Sequence, residues 1–177
     1  MLIGPAIAIS SVAALIMWFE SGWSPILSQS RVGRDGKLFR LLKIRTMSLG
    51  TPHVASHEIG AKQITPVGAI LRRTKLDELP QVWNVLVGDM SFVGPRPCLP
   101  TQTELIHERQ RRGVQRLRPG ITGVAQVRGL DMSDPVGLAA VDAEYLGAWR
   151  LSRDLRCLFA TVRGGGRGDA VTRGGQR

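Results

Sequence analysis

The sequence contains too few cysteines and aromatic residues for several classes of protein. Its 177 residues include two cysteines, Cys98 and Cys157, which cannot form a disulfide framework or a four-cysteine metal site. Aromatic residues make up only 5% of the chain, so the core should consist of aliphatic side chains. The hydrophobic fraction of 43% nevertheless excludes a wholly disordered chain. We therefore expect a reduced, cytosol-facing protein with one principal domain.

Acidic residues are also scarce relative to basic ones. The 24 Lys and Arg residues exceed the 14 Asp and Glu residues, which gives a net charge of +10 at pH 7. Only four of the basic residues are lysines, and the others are arginines, whose planar guanidinium pairs well with phosphate and carboxylate. The composition therefore predicts an anionic partner: nucleic acid, acidic lipid headgroups or a phosphorylated substrate.

The first 19 residues carry no charged side chain. No basic residue precedes this apolar run and no small-residue cleavage site follows it, which argues against a secretory signal peptide. Beyond Pro5 the run is only about 21 Å long as a helix, whereas the hydrocarbon core of a bilayer is about 30 Å thick. We therefore expect residues 1–23 to insert into a membrane without crossing it. The alternative is a buried core helix of a soluble protein.

The chain becomes basic directly after this run. Residues 31–47 carry six basic side chains and one acid, a pattern favoured beside the anionic cytoplasmic face of a membrane. Gly33 and the pair Asp35-Gly36 predict a turn, and residues 37–45 fit either a short strand or a helix. The spacing of apolar residues predicts helical stretches over 66–86, 102–116 and 139–159. Pro80 predicts a break or a new helix start inside the first of them. We expect a folded region over 24–162 and a disordered basic tail over 163–177.

Two adjacent carboxylates, Asp77 and Glu78, directly follow the cations Arg72, Arg73 and Lys75. Neighbouring side chains on a helix point about 100° apart, so the two acids cannot share one proton. They could instead divide the chemistry, one as nucleophile or metal ligand and the other as an orienting or proton-exchanging group. The alternative is an exposed acidic turn at a helix start, where the helix dipole favours negative charge.

Two arginines lie on backbone that proline makes rigid. Arg96 stands between Pro95 and Pro97, and Arg118 precedes Pro119. The glycines that follow, Gly120 and Gly123, are expected to let a ligand approach the backbone closely. Proline restricts its own φ and biases the preceding residue towards extended geometry, so little entropy is lost when such an arginine binds a phosphate. The alternative is a rigid turn with a solvated arginine.

The motifs, taken in order, resemble those of the bacterial sugar transferases known as monotopic phosphoglycosyl transferases. The resemblance extends over about residues 5–162. The residues that carry it are Gln29, 31–33, 36–37, 43–47, 76–81, 84–86, 88–97, 118–123, 125–127, 142–145, Asp154 and Thr161.

The resemblance implies a fold, an activity and a location. The fold would be α/β and mainly helical: a small membrane-associated catalytic domain over 24–162 with amphipathic surface helices. Residues 1–23 would form the returning half of a re-entrant hairpin, whose entering half would precede Met1. Such enzymes transfer a sugar-1-phosphate from a UDP-sugar to polyprenyl (undecaprenyl) phosphate and release UMP, which primes exopolysaccharide, O-antigen and glycan assembly. The expected location is the cytoplasmic face of the bacterial inner membrane.

The resemblance also implies roles for individual residues. Asp77 would be the nucleophile that forms a covalent phosphosugar intermediate and a ligand of Mg²⁺, with Glu78 as its companion. The substrate-binding residues would be Lys43, Arg45, Arg72, Arg73, Arg96, Arg118 and Asp142. The expected partners are the UDP-sugar, polyprenyl phosphate and membrane lipid, with no nucleic acid. The sequence does not identify the sugar or the pathway. It also leaves the oligomeric state open, with a homo-oligomer as one of the options. The competing hypothesis is a non-catalytic, membrane-tethered basic scaffold that binds anionic lipid or nucleic acid.

Overall fold

The computed structural model describes residues 24–48, 63–147 and 150–165, together with residues 11–12. Within these ranges the chain is a mixed α/β structure with more helices than strands. None of the helices in the described ranges is long and apolar enough to cross a membrane. The membrane-inserting segment predicted over 1–23 lies outside the described residues, apart from residues 11–12, as does nearly all of the predicted tail.

The described residues divide into two compact units. The first unit contains residues 24–29, 41–48 and 63–83, and the second contains residues 30–40, 84–147 and 150–165.

A two-stranded hairpin begins this part of the chain. Strand β1 (Ile26–Val32) pairs with strand β2 (Leu38–Ile44). A 3₁₀ turn at Arg34–Gly36 joins them, with Asp35 and Gly36 in the left-handed region at φ values of 56° and 75°. Glycine adopts this region freely and aspartate tolerates it, so the predicted Asp-Gly turn is confirmed. The structure also resolves the choice between strand and helix in favour of a strand.

A helix, a turn and a second helix follow. Helix α1 (Pro66–Thr74) begins where the Thr65 hydroxyl accepts a hydrogen bond from the Gly68 N–H at 2.9 Å. Helix α1 ends at Lys75, whose left-handed backbone (φ 59°) stops the helical hydrogen bonding. A 3₁₀ turn over Leu76–Glu78 then leads to helix α2 (Gln81–Leu86). The predicted break near Pro80 is present, but it begins five residues earlier, because Lys75 already leaves the helix.

The core of the first unit is small and aliphatic. Ile44 of β2 and Leu71 of α1 are buried, and Val67 and Leu76 pack against them. Leu71 and Val67 are four residues apart on α1, so they share the face that meets the strand.

The second unit is built around a parallel pair of short strands. Strand β3 (Ser91–Val93) lies beside β4 (Gly120–Thr122), with Ser91 opposite Gly120 and Val93 opposite Thr122. The surrounding helices are α3 (Thr103–Arg111), α4 (Val124–Val127), α5 (Pro135–Ala143) and α6 (Leu151–Val162). One core cluster contains Cys98, Leu105, Ala125, Leu138 and Ala139. A second contains Val93, Tyr145 and Cys157.

Two predicted helical stretches are shorter than the periodicity indicated. The stretch over 102–116 ends as an α-helix at Arg111, because Gly113 adopts a left-handed backbone (φ 73°). The stretch over 139–159 is two helices, α5 and α6, with Gly147 at φ 67° between them. In both cases a glycine interrupts the helix, although the apolar pattern continues beyond it.

Candidate active site

The adjacent carboxylates lie on the turn between α1 and α2. Asp77 and Glu78 occupy the 3₁₀ turn directly after Lys75, so their position depends on where α1 stops. Asp77 is buried, with 7% of its surface exposed, and Glu78 is half-buried. The alternative interpretation of an exposed acidic helix start is therefore wrong for Asp77. Carboxylates are rarely buried unless a specific interaction or function requires it.

The first unit also contains four of the predicted cations. Arg72 lies in the last turn of α1, and its Nε donates to the Thr46 hydroxyl oxygen at 2.8 Å. Its Nη1 is buried and has no hydrogen-bond acceptor among the described residues. Arg45 follows β2, and its Nε donates to the Ser24 carbonyl oxygen at 3.3 Å. Lys43 is half-buried on β2, and Arg73 is exposed on α1.

The unsatisfied Arg72 Nη1 is informative because buried donors are almost always hydrogen-bonded in folded proteins. Thr46 anchors one side of the guanidinium and thereby limits its rotation. The Nη1 group could donate a hydrogen bond to an oxyanion, which would remove the cost of leaving it unpaired.

The Pro-Arg-Pro segment lies in the second unit, and its backbone is extensively hydrogen-bonded. The Arg96 carbonyl oxygen accepts from Arg109 Nη1 at 2.8 Å. The Pro95 carbonyl accepts from the Gly120 N–H at 2.9 Å. The Pro97 carbonyl accepts from Arg31 Nη1 at 3.1 Å. The rigidity predicted from the prolines is thus reinforced by contacts that the local sequence does not reveal.

The neighbouring Arg118 is exposed and precedes strand β4. The sequence suggested that a ligand could approach the glycine backbone after it, at Gly120. The structure corrects this expectation, because the backbone of Gly94 already fills that space. A Cβ added at Gly120 would lie 2.1 Å from the Gly94 nitrogen. Gly120 therefore permits the close approach of two protein segments.

Asp142 lies on α5 and is paired with a cation from α3. Its Oδ2 accepts from Arg109 Nη2 at 2.7 Å and from Arg109 Nε at 3.0 Å. Both residues are buried, with 4% of Asp142 and 5% of Arg109 exposed. Burial raises the pKa of the Asp142 carboxyl above its usual value, while the Arg109 guanidinium acts in the opposite direction. The predicted role of Asp142 in direct substrate binding stays a prediction.

Sequence reasoning missed Arg109, although a signal for it is present. Arg109 follows Leu105 by four residues and Ile106 by three; Leu105 belongs to a core cluster, and Ile106 packs against that cluster. These spacings put Arg109 on the buried face of a predicted amphipathic helix. An arginine on such a face requires an acidic partner in the interior.

Four residues that contribute to the resemblance form contacts that hold α6. The Tyr145 hydroxyl donates to Asp154 Oδ1 at 2.5 Å, and the hydroxyl oxygens of Thr122 and Thr161 are 2.6 Å apart. Burial and the bond to Asp154 both raise the pKa of Tyr145. These residues therefore stabilise the second unit.

Comparison with known proteins identifies the family. A family model for bacterial sugar transferases matches residues 1–167. The chain belongs to the bacterial sugar transferase family. The family resemblance inferred from the motifs is confirmed.

Named relatives support this assignment. The chain is 42% identical over 160 residues to the UDP-glucose:undecaprenyl-phosphate glucose-1-phosphate transferase of Caulobacter vibrioides, covering 85% of this chain and 60% of that protein. It is 34% identical over 175 residues to the undecaprenyl-phosphate galactose phosphotransferase of Salmonella typhimurium, covering 88% of this chain and 37% of that protein. The exopolysaccharide production protein ExoY of Sinorhizobium fredii is 32% identical over 176 residues, covering 88% of this chain and 77% of that protein. The chain thus spans only part of the length of the first two.

Proposed function

We propose that the chain transfers a sugar-1-phosphate from a UDP-sugar to undecaprenyl phosphate and releases UMP, as a priming step of polysaccharide assembly. The observation that carries the proposal is the buried Asp77 carboxylate, held on a turn between two helices in a member of the bacterial sugar transferase family. Relatives named as undecaprenyl-phosphate glucose and galactose transferases support the donor and acceptor classes.

The proposed reaction has two displacements at one phosphorus atom. A carboxylate oxygen of Asp77 attacks the β-phosphorus of the UDP-sugar, and the bond from that phosphorus to the bridging oxygen breaks. UMP leaves with the bridging oxygen and its electron pair. A phosphate oxygen of undecaprenyl phosphate then attacks the same phosphorus, and the bond to Asp77 breaks, which restores the carboxylate.

The turn supports this role because it restricts the nucleophile. Lys75 ends α1 at a defined residue, and Asp77 follows two positions later in a 3₁₀ turn. A carboxylate with little conformational freedom loses less entropy on reaching the attack geometry. Glu78, half-buried beside it, would orient the reacting groups or exchange a proton with the substrate.

The reaction also requires positive charge, because an anionic nucleophile approaches an anionic diphosphate. Arg72 supports this requirement in the first unit, since its buried Nη1 has no acceptor among the described residues. The neighbouring cations Arg73, Arg45 and Lys43 would add to the same field. In the second unit we propose that Arg96 and Arg118 bind the phosphate or nucleotide portion of the donor.

The carboxylates are suited to Mg²⁺. This ion binds through one or two carboxylates together with substrate phosphates, and it neutralises charge on a diphosphate when bound. Asp77 and Glu78 provide the hard oxygen donors for such a site. Within the described ranges, no three His, Cys, Asp or Glu residues group to form a metal site from protein ligands alone. We therefore propose that Asp77 holds Mg²⁺ jointly with the donor.

We also propose that the protein acts at the cytoplasmic face of a membrane, where its lipid acceptor would be found. Support within the described residues comes from one face of α6. Leu151, Leu155, Phe159 and Val162 lie on this face and are between 56% and 86% exposed. Basic residues flank them, and this combination is typical of helices that lie on an anionic membrane surface.

The proposal is tested by measuring UMP release from a panel of UDP-sugars. Membrane fractions carrying the protein are supplied with undecaprenyl phosphate and Mg²⁺. Asp77→Asn is expected to abolish release, whereas Glu104→Gln, which changes an exposed acid on α3, should leave it unchanged. Full activity of Asp77→Asn would refute the assigned nucleophile. Absence of release with every donor, together with intact binding to anionic vesicles, would favour the scaffold hypothesis.

A further inference from the structure

The backbone around Arg96 is hydrogen-bonded at four consecutive carbonyl groups. Bonds from Gly120, Arg109 and Arg31 account for the first three, as described above. The fourth joins the Cys98 carbonyl oxygen to the Val32 N–H at 3.0 Å. All of these donors belong to the second unit, and they come from three parts of its sequence: the end of β1, helix α3 and the start of β4.

The donor to the Arg96 carbonyl differs from the others because it is itself fixed by a buried acid. Arg109 uses Nε and Nη2 to bind Asp142 and uses Nη1 to bind the Arg96 carbonyl oxygen. The planar guanidinium makes these bonds in one fixed geometry, which the single ammonium group of lysine cannot reproduce. The position of the Arg96 backbone is thereby linked to α3 and α5 through one side chain.

We propose that Arg109, oriented by Asp142, is a positioning residue that fixes where the Arg96 guanidinium meets the diphosphate of the donor. This inference rests on the proposed function, since it takes Arg96 as a ligand of the donor phosphates. In this proposal Asp142 acts indirectly, because it orients Arg109 and does not touch the substrate. This role explains why a site for an anionic substrate would include an acid. An exposed carboxylate there would repel the diphosphate, whereas Asp142 is neutralised by Arg109.

The test measures the affinity of the purified full-length chain for UDP by calorimetry, in the presence of Mg²⁺. Arg109→Lys keeps a positive charge beside Asp142 but loses the forked geometry. We expect it to weaken UDP binding about tenfold, as for the loss of one charge-assisted hydrogen bond. Arg111→Lys is the matched control on the same helix, where Arg111 is exposed and pairs with Glu108. It should leave the affinity unchanged.

A double-mutant cycle with Arg96→Lys separates positioning from a merely structural role. If Arg109 acts through the Arg96 guanidinium, Arg109→Lys should change affinity less than about twofold in the Arg96→Lys background. The same tenfold loss in both backgrounds would overturn the inference. Should Arg109→Lys fail to fold, the pair Arg109→Met with Asp142→Leu replaces it, because this pair leaves neither charge buried alone.

The outcomes also separate this inference from the proposed function. If the unchanged protein releases UMP but the effects of Arg109→Lys and Arg96→Lys on UDP affinity are additive, only the positioning role is overturned. If the protein binds UDP and the two substitutions change the affinity non-additively, the positioning role is supported even when no donor in the panel is turned over. A protein that neither binds UDP nor releases UMP overturns both.

Discussion

Removing Asp142 should cost a large part of the folding free energy, because it leaves Arg109 buried and charged without its partner. The two bonds between them are 3.0 and 2.7 Å long, and Arg109 is only 5% exposed. Breaking one side of such a pair typically costs about 3–5 kcal/mol. Folded proteins typically have a free energy of unfolding of only about 5–15 kcal/mol, so this loss is a large fraction of the total. For a chain of this size it corresponds to a decrease in Tm of roughly 6–20 °C.

The matched comparison is between Asp142→Leu alone and Asp142→Leu combined with Arg109→Met. The combined change removes both charges, so its cost should be smaller than that of the single change despite altering two residues. Thermal and denaturant unfolding, followed by circular dichroism, would measure both. The reasoning is refuted if Asp142→Leu leaves the stability unchanged, or if the paired variant is less stable than the single one.

Three other perturbations test separate parts of the structure. Gly120→Ala should destabilise the protein by about 2 kcal/mol or more, since its Cβ would lie 2.1 Å from the Gly94 nitrogen. A loss of less than about 1 kcal/mol in denaturant unfolding would contradict this. Burial raises the pKa of Cys98, so its thiol should react slowly with a thiol reagent until the protein unfolds. As pH rises, the Cys98 thiol therefore loses its proton in the unfolded chain before it does so in the folded protein. The free energy of unfolding, measured by denaturant titration, should then fall as pH rises above about 8.5. Rapid labelling of the folded protein, or stability that rises over this pH range, would contradict the burial of this thiol. Phe159→Glu on the exposed face of α6 should weaken the affinity for anionic vesicles, measured by sedimentation, at least tenfold. Ser152→Glu should have a smaller effect, and equal effects would show that this face does not contact lipid.

Local sequence signals predicted several elements correctly. The Asp-Gly turn, the helix beginning at Pro66 and the polar helix near residue 103 follow from residues close together in the chain. Capping residues, proline and apolar periodicity act over a few positions, so a single sequence is sufficient to reveal them.

The contacts that organise the candidate site could not be predicted in this way. Arg109 and Asp142 are 33 residues apart, and the parallel pairing of β3 with β4 joins segments separated by a similar distance. Both depend on how α3, α5 and the strands pack, which local patterns do not encode. The role of Gly120 was misjudged for the same reason, because the space beside it is filled by Gly94.

The most direct test of the central claim is to detect the covalent intermediate. The purified protein is incubated with Mg²⁺ and a turned-over UDP-sugar, without the lipid acceptor, and its intact mass is measured. We predict a mass increase of one phosphosugar, located on the peptide that contains Asp77, absent from Asp77→Asn and lost on addition of undecaprenyl phosphate. UMP release that requires both substrates together, with no modified protein at any time, would contradict the account.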